Sequence, residues 1–279
     1  MKTDPSRIAL LHYSTHNLGD DLQSFAVRQV IHAEHSLDRD KLHEDSAACD
    51  LLLYGWLLQS RQWPPLPAQR VHPLSIHAAP RSRALLRRHI DWWRPLGTIP
   101  CRDVSSAEFF LKYDVPAVFE GCATLSLQRW EEKQTGRVVF VDAASDAGCL
   151  PQVDFPEVVH RTHNIRRALR ANQAYRQKAA RGALETYQRA ELVITSRLHA
   201  LLPCLAFGTP VVYVPSRLMR KASHYTRFLD YLPYIETWDG KQSYASCGSF
   251  PANYRPTALI QRVTDRLASI RNHLTNAAR

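Results

Sequence analysis

In residues 191–215, ELVITSRLHALLPCLAFGTPVVYVP, two basic side chains stand where an apolar strand gives way to an apolar helix. They are Arg197 and His199. The start of a helix presents N–H groups with no intrahelical partner and the positive end of the helix dipole, so it collects anions. An arginine there adds a planar fork that matches carboxylate or phosphate. A histidine titrates near neutrality and can carry a proton in either direction. Cations in a first turn oppose the helix dipole, so a bound anion explains the pair better than the fold does. Thr195 and Ser196 are expected as N-caps of this helix, Gly208 as its left-handed C-terminal residue and Pro210 as its stop.

These side chains need a scaffold, and the rest of the chain carries the pattern of one. Apolar runs bounded by turn residues occur at 7–14, 50–56, 72–78, 97–103, 116–122, 137–143, 191–196 and 210–214. Continuous runs of this kind suit parallel strands covered on both faces. Helical patterns lie between them, at 19–34, 82–93, 105–114, 162–190, 197–208 and 256–274. The alternation predicts an α/β fold of two Rossmann-like halves whose parallel sheets face a cleft. The expected boundary is near residue 130, giving halves 1–130 and 131–279, with the terminal helix 256–274 packing back on the first half.

The chain has 279 residues, 36 Lys plus Arg against 26 Asp plus Glu, and a net charge of +10. Such a field favours anionic partners. From Val158 to Leu184 there is no acid, but there are Arg161, Arg166, Arg167, Arg170, Arg176, Lys178 and Arg181. With Ile165 and Leu169 this reads as one basic helix, either a solvated face or a surface for anionic lipid. No zinc-finger or RNA-recognition pattern and no clear helix-turn-helix is present, so nucleic acid is not an expected partner. The six cysteines are scattered, which predicts buried reduced thiols and neither a disulfide framework nor a metal site. No run approaches a membrane-spanning length, and the first strand does not read as a signal peptide, so a cytoplasmic location is expected.

Six segments in order, from about residue 12 to residue 232, resemble the polysaccharide pyruvyl transferase family. ITSRLHALLPCLAFGTPVV is similar to its S-R-x-H strand–helix signature, and HYSTHNLGDDLQSFAV to its N-x-G-D-x-x-Q loop. DLLLYGW and PLSIHAA resemble the strands that follow. GTIPCRDVSSAEFFLKYDVPAVFEGCATLSL resembles its C-R-D and G-C-x-T block, and SHYTRFLDYL its R-F-x-x-L segment. The resemblance implies a two-domain fold like that of GT-B glycosyltransferases. It implies phosphoenolpyruvate as donor, a saccharide or lipid-linked saccharide as acceptor, a cyclic pyruvate ketal as product, and no cofactor or metal beyond the donor. The basic face would bring the enzyme to lipid-linked acceptors at the inner membrane surface.

Carried over by motif, the catalytic set is Arg197, His199 and Asp20. Arg197 would hold the donor's carboxylate or phosphate, His199 would move protons, and Asp20 would act as base toward the acceptor hydroxyl. The substrate-binding set is Asn17, Gly19, Gln23, His77, Arg102, Gly121, Thr124, Ser196 and Arg227, with Asn17 and Asp20 expected on the acceptor side, in the first half. Each has a structural alternative. Gly19-Asp20 can be a helix start, and Arg102 with Asp103 an ion pair opening a helix whose capping box is Ser105 to Glu108. Gly121 and Thr124 can shape a turn or cradle a phosphate. Cys122 reads as a packed thiol, Arg227 as a surface residue, and Trp92, Trp93, Tyr231 and Tyr234 as packing. Two other functions fit the same sequence. A nucleotide-sugar glycosyltransferase would need a ribose-binding carboxylate in the second half, where Glu236 and Asp239 are available. A non-catalytic scaffold would bind anionic vesicles and neither donor.

Overall fold

A computed structural model describes residues 8–44, 48–57, 63–65, 70–133, 136–143, 150–215, 226–245 and 255–276. Its elements begin with β1 (Ile8–His12), α1 (Gly19–Val30), β2 (His35–Asp38), β3 (Asp50–Trp56), β4 (Arg70–His77), α2 (Arg83–Arg88) and α3 (Ile90–Trp93). There follow β5 (Ile99–Cys101), α4 (Val104–Leu111), β6 (Ala117–Phe119), β7 (Arg137–Val141), β8 (Gln152–Asp154), β9 (Glu157–Arg161) and α5 (Gln173–Arg189). The chain continues through β10 (Leu192–Thr195), α6 (Leu198–Phe207), β11 (Val211–Tyr213), α7 (Thr226–Leu229), β12 (Glu236–Thr237), β13 (Ser243–Ala245) and α8 (Thr257–Asn276). The fold is α/β with parallel sheets.

The chain divides into two compact units, one of Met1–Ser14, Gln23–Ser126 and Ala258–Arg279, the other of Thr15–Leu22 and Leu127–Thr257. In the first unit six strands lie in the order β2-β1-β3-β4-β5-β6. All pairs are parallel. The apolar runs that announce β1 and β3 are buried: Leu10, Leu11 and Leu51 to Leu53 are fully covered. Helix α8 adds Leu259, Val263, Leu267, Ile270 and Leu274, a stripe spaced three or four apart. All but Leu259 join the core of this unit's sheet. Each such side chain contributes about 1.5–3 kcal/mol on burial. Trp93 is buried against Trp63, Trp92 and Phe110, which makes the Trp92-Trp93 pair part of the core.

The second unit has five strands in the order β9-β7-β10-β11-β12, again all parallel. Numbered along the chain this is 2-1-3-4-5, the same permutation as the first five strands of the other sheet. In such sheets the connections leave β7 in one direction and return on the other side at β10, opening a crevice beyond the carboxyl ends of those two strands. Strands β8 and β13 form a separate parallel pair.

Three local expectations change. The stretch 162–190 is not one helix. It is preceded by the exposed edge strand β9, and only Gln173–Arg189 is α-helical, capped by Asn172 Oδ1 accepting from the Tyr175 N–H at 2.9 Å. Its arginines therefore do not share one solvated face, and Arg176 is fully buried. Helix α4 is capped by Asp103, whose Oδ1 accepts from the Ser106 N–H at 2.8 Å, and not by a box beginning at Ser105. Helix α6 has Arg197 itself at the N-cap, with no side-chain cap. The Thr195 hydroxyl instead donates to Val141 O and accepts from the Arg197 N–H, and Ser196 Oγ donates to Val214 O. The expected closing residue is where it was placed: Gly208 is left-handed, with φ 71°. Among the described residues, no helix is long and apolar enough to cross a membrane.

Candidate functional site

The switch point of the second sheet holds the basic pair. Strand β7 is followed by Asp142, whose backbone sits in the left-handed region (φ 43°), a conformation that Asp tolerates better than most residues. Strand β10 ends at Thr195, and two residues later Arg197 stands at the N-cap of α6. Arg197 Nε donates to Asp142 Oδ2 at 2.9 Å, and its Nη2 donates to Asn164 Oδ1 at 3.2 Å. The same Asp142 oxygen accepts the His163 backbone N–H at 2.8 Å. One carboxylate thus ties the end of β7, the segment after β9 and the start of α6 together. Burial pushes the Asp142 carboxyl upward, but hydrogen bonds from Thr162 and the His163 N–H, with the Arg197 charge, outweigh it and hold the group below the usual carboxylate range. It is therefore ionised at neutral pH and fixes one edge of the guanidinium while the side chain stays about one-third exposed.

His163 closes the inner side of this cluster. Its Nε2 lies 2.6 Å from the Tyr187 hydroxyl. Complete burial drives the imidazole down to about 4, against the pull of Asp142 and with the push of Arg197. It is neutral in the working range. His199, the second residue of α6, is 6% exposed.

Thr15–Leu22 was expected with the first half on the acceptor side. It groups instead with the second unit. The Leu18 N–H donates to His163 O at 2.8 Å, the Ile165 N–H to His16 O at 2.7 Å, and Asn17 bridges Asn164. Asn17 Oδ1 accepts the Gly19 N–H at 3.1 Å and so shapes the turn into α1. A Cβ on Gly19 would stand 2.7 Å from His199 Nδ1, closer than packed atoms approach. Glycine is required there because the imidazole occupies that space. Asp20 follows on the same turn, 3% exposed. The turn through Asn17 and Gly19 therefore packs on His199, and Asn164, bridged to Asn17, accepts from Arg197.

Of the other residues proposed for the site, His77, Arg102, Gln23, Gly121 and Thr124 belong to the first unit. His77 Nδ1 is 2.6 Å from Asp103 Oδ2, and both are buried in the first unit. Burial would raise Asp103, but His77, Arg102 and Ser106 hold it at about 2. The closest Arg102–Asp103 approach is 3.9 Å, so His77 and not Arg102 is the aspartate's near partner. Gln23, fully buried, faces Gly55, whose φ of 75° and missing Cβ leave room for the amide. Gly121 is packed against Leu125 and Val263, and the buried Thr124 hydroxyl donates to Cys122 Sγ at 3.3 Å. That environment suits a packed turn, and burial raises the Cys122 thiol, as befits an inert one. Ser196 is buried and committed to Val214 O. Arg227 belongs to α7, and its side chain lies outside the described residues. Asp142, Asn164 and Arg176 were missed by the sequence reading. A single Asp after a strand looks like a turn residue, and the partners of the other two are remote in the chain.

Comparison with known proteins adds the family. A model described as polysaccharide pyruvyl transferase matches residues 17–216, which spans the whole cluster. Among solved structures, an uncharacterized protein from Klebsiella pneumoniae subsp. pneumoniae NTUH-K2044 aligns over 86% of this chain and 92% of its own, at 11% identity and a TM-score of 0.44. The glycotransferase of kitacinnamycin aligns over 99% and 96%, at 11% identity and a TM-score of 0.32. No curated protein matches the chain. The family match covers well over half of the sequence and includes the loop, the switch-point residues and the S-R-x-H helix start, and on it the chain belongs to the polysaccharide pyruvyl transferases, a family of transferase enzymes.

Proposed function

We propose that this enzyme transfers the pyruvyl group of phosphoenolpyruvate to two hydroxyls of a saccharide, or of its lipid-linked precursor, as a cyclic ketal. The observation that supports the reading is that the Asn17–Gly19 turn packs on His199 while Asn164, bridged to Asn17, accepts from Arg197 at the second sheet's switch point. The donor carries a carboxylate and a phosphate. The first turn of α6 offers the positive end of the helix dipole, and Arg197 offers a charge that Asp142 has already oriented.

The chemistry needs proton traffic and anion stabilisation. One acceptor hydroxyl adds to the central carbon of the enol phosphate while the methylene gains a proton. The second hydroxyl then displaces phosphate, giving ketal and inorganic phosphate. His199 carries protons between these groups and Asp20 accepts one from the acceptor, the division of labour expected of a histidine and a carboxylate. Asp21 and Asp142 are each bound to an arginine and have other work. The scheme asks for no metal. The test is a turnover assay with phosphoenolpyruvate and a panel of saccharides, following inorganic phosphate and ketal together. His199→Ala should retain donor binding and lose turnover. Equal turnover by that variant would overturn the assignment.

A further inference from the structure

The loop that brings Gly19 to His199 is held by a residue that no motif includes. Arg176 lies in the middle of the acid-free basic stretch, where a solvated side chain is the sequence expectation, yet it is fully buried. Its guanidinium is saturated by the segment at the start of α1. Nε donates to Asp21 Oδ1 at 3.0 Å and Nη2 to Asp21 Oδ2 at 2.6 Å, a bidentate pair. Nη1 donates to Thr15 O at 2.5 Å and to Arg170 O at 3.3 Å, and Nη2 also reaches Asn17 O at 3.2 Å. Four of these five bonds cross about 155 to 161 positions of sequence.

Burying this charge is costly, and a pair of apolar residues would serve stability as well. What an apolar pair would not supply is geometry. The fork fixes two main-chain carbonyls and one carboxylate on both sides of Asn17, and so sets the turn in which Asn17 Oδ1 holds Gly19. That turn is where His199 packs, with no room for one added carbon.

We propose that Arg176 is a positioning residue for the transferase. Through its buried pair with Asp21 it holds the Asn17–Asp20 turn against His199, so that donor and proton-carrying groups are assembled in one unit. This rests on the pyruvyl-transfer reading, and the test keeps the two apart. Wild type, Arg176→Lys, Arg176→Met and Asp21→Asn are compared by phosphoenolpyruvate titration, by kcat and KM, and by hydrogen exchange of the peptide holding residues 15–22. Lysine keeps the charge and loses the fork; Asp21→Asn keeps the shape and loses the charge.

The expected result is faster exchange in residues 15–22 for all three variants, with exchange of the β10 peptide unchanged. The kcat of Arg176→Lys and Asp21→Asn should fall at least about tenfold, with a smaller change in KM, the signature of displaced reacting groups. If Arg176→Met does not fold, those two variants still decide the matter. Unchanged exchange with unchanged kcat in both would overturn the proposal, as would loss of activity that only tracks global unfolding. A wild type that binds no phosphoenolpyruvate would instead overturn the functional reading, and the exchange data would still report whether Arg176 holds the loop.

Discussion

Asp142 carries more of the site than its place at a strand end suggests. It accepts from Arg197 Nε and from the His163 N–H with one oxygen, and it does so from a left-handed backbone that most residues avoid. Removing the carboxylate leaves Arg197 with its bond to Asn164 but without its charged anchor. Asp142→Ala is therefore expected to weaken phosphoenolpyruvate binding by about 10- to 100-fold, since a misaimed fork forfeits its second bond to an anion. Calorimetric titration of the variant checks this, and unchanged affinity would mean that Arg197 is held some other way. The place of Arg197 and His199 at the joint of β10 and α6 was legible in the sequence, because an apolar strand gives way there to an apolar helix. Asp142 was not, because a lone aspartate after a strand has many uses. Arg176 was read on the wrong surface, because its partner lies 155 positions away and no local pattern reports it.

At the scale of elements, buried strands were the most legible features. The run at 50–56 is β3 without change, and 191–196 holds β10 within it. These strands are central and covered on both faces, so their apolar runs are unbroken. Strands β2 and β9 gave no such signal. Both are edges, with burial alternating or largely lost, and polar residues make up much of each. Helix ends were partly legible. Gly208 closes α6 in the left-handed conformation, with nothing within 4 Å of where a Cβ would go. Gly208→Ala should therefore cost only the backbone penalty, about 1 kcal/mol. Denaturant unfolding would show it as a lower midpoint at constant m-value. A loss several times larger would mean that the glycine faces something besides solvent.

For the whole molecule, two sheets with one strand permutation each present a switch point, and the geometry of that permutation explains why Asp142 and Arg197 meet. The electrostatics of the second unit also make its stability depend on pH. His163 is held near 4 when folded against about 6.5 when unfolded. Between those values the unfolded chain binds the extra proton, so this histidine's contribution is complete above pH 6.5 and is lost as pH falls toward 4. Asp21 works in the opposite sense. Burial, only partly offset by Arg176, raises it to about 6, so its contribution is present below about 3.8 and is lost as pH rises toward 6. The two windows overlap, and the wild-type curve alone does not separate them. The difference in unfolding free energy between wild type and His163→Gln does. It should shrink as pH falls from 6.5 to 4.5, by up to about 3 kcal/mol over the full window. A difference independent of pH would show that His163 does not titrate this way.

The central claim is that the cluster around Arg197 is a phosphoenolpyruvate site, and calorimetric titration of wild type and Arg197→Ala tests it most directly. Saturable binding of phosphoenolpyruvate by the wild type, absent in Arg197→Ala while a panel of nucleotide sugars gives no heat, is the predicted result. Binding of phosphoenolpyruvate that survives in Arg197→Ala, or binding of a nucleotide sugar in its place, would contradict the account.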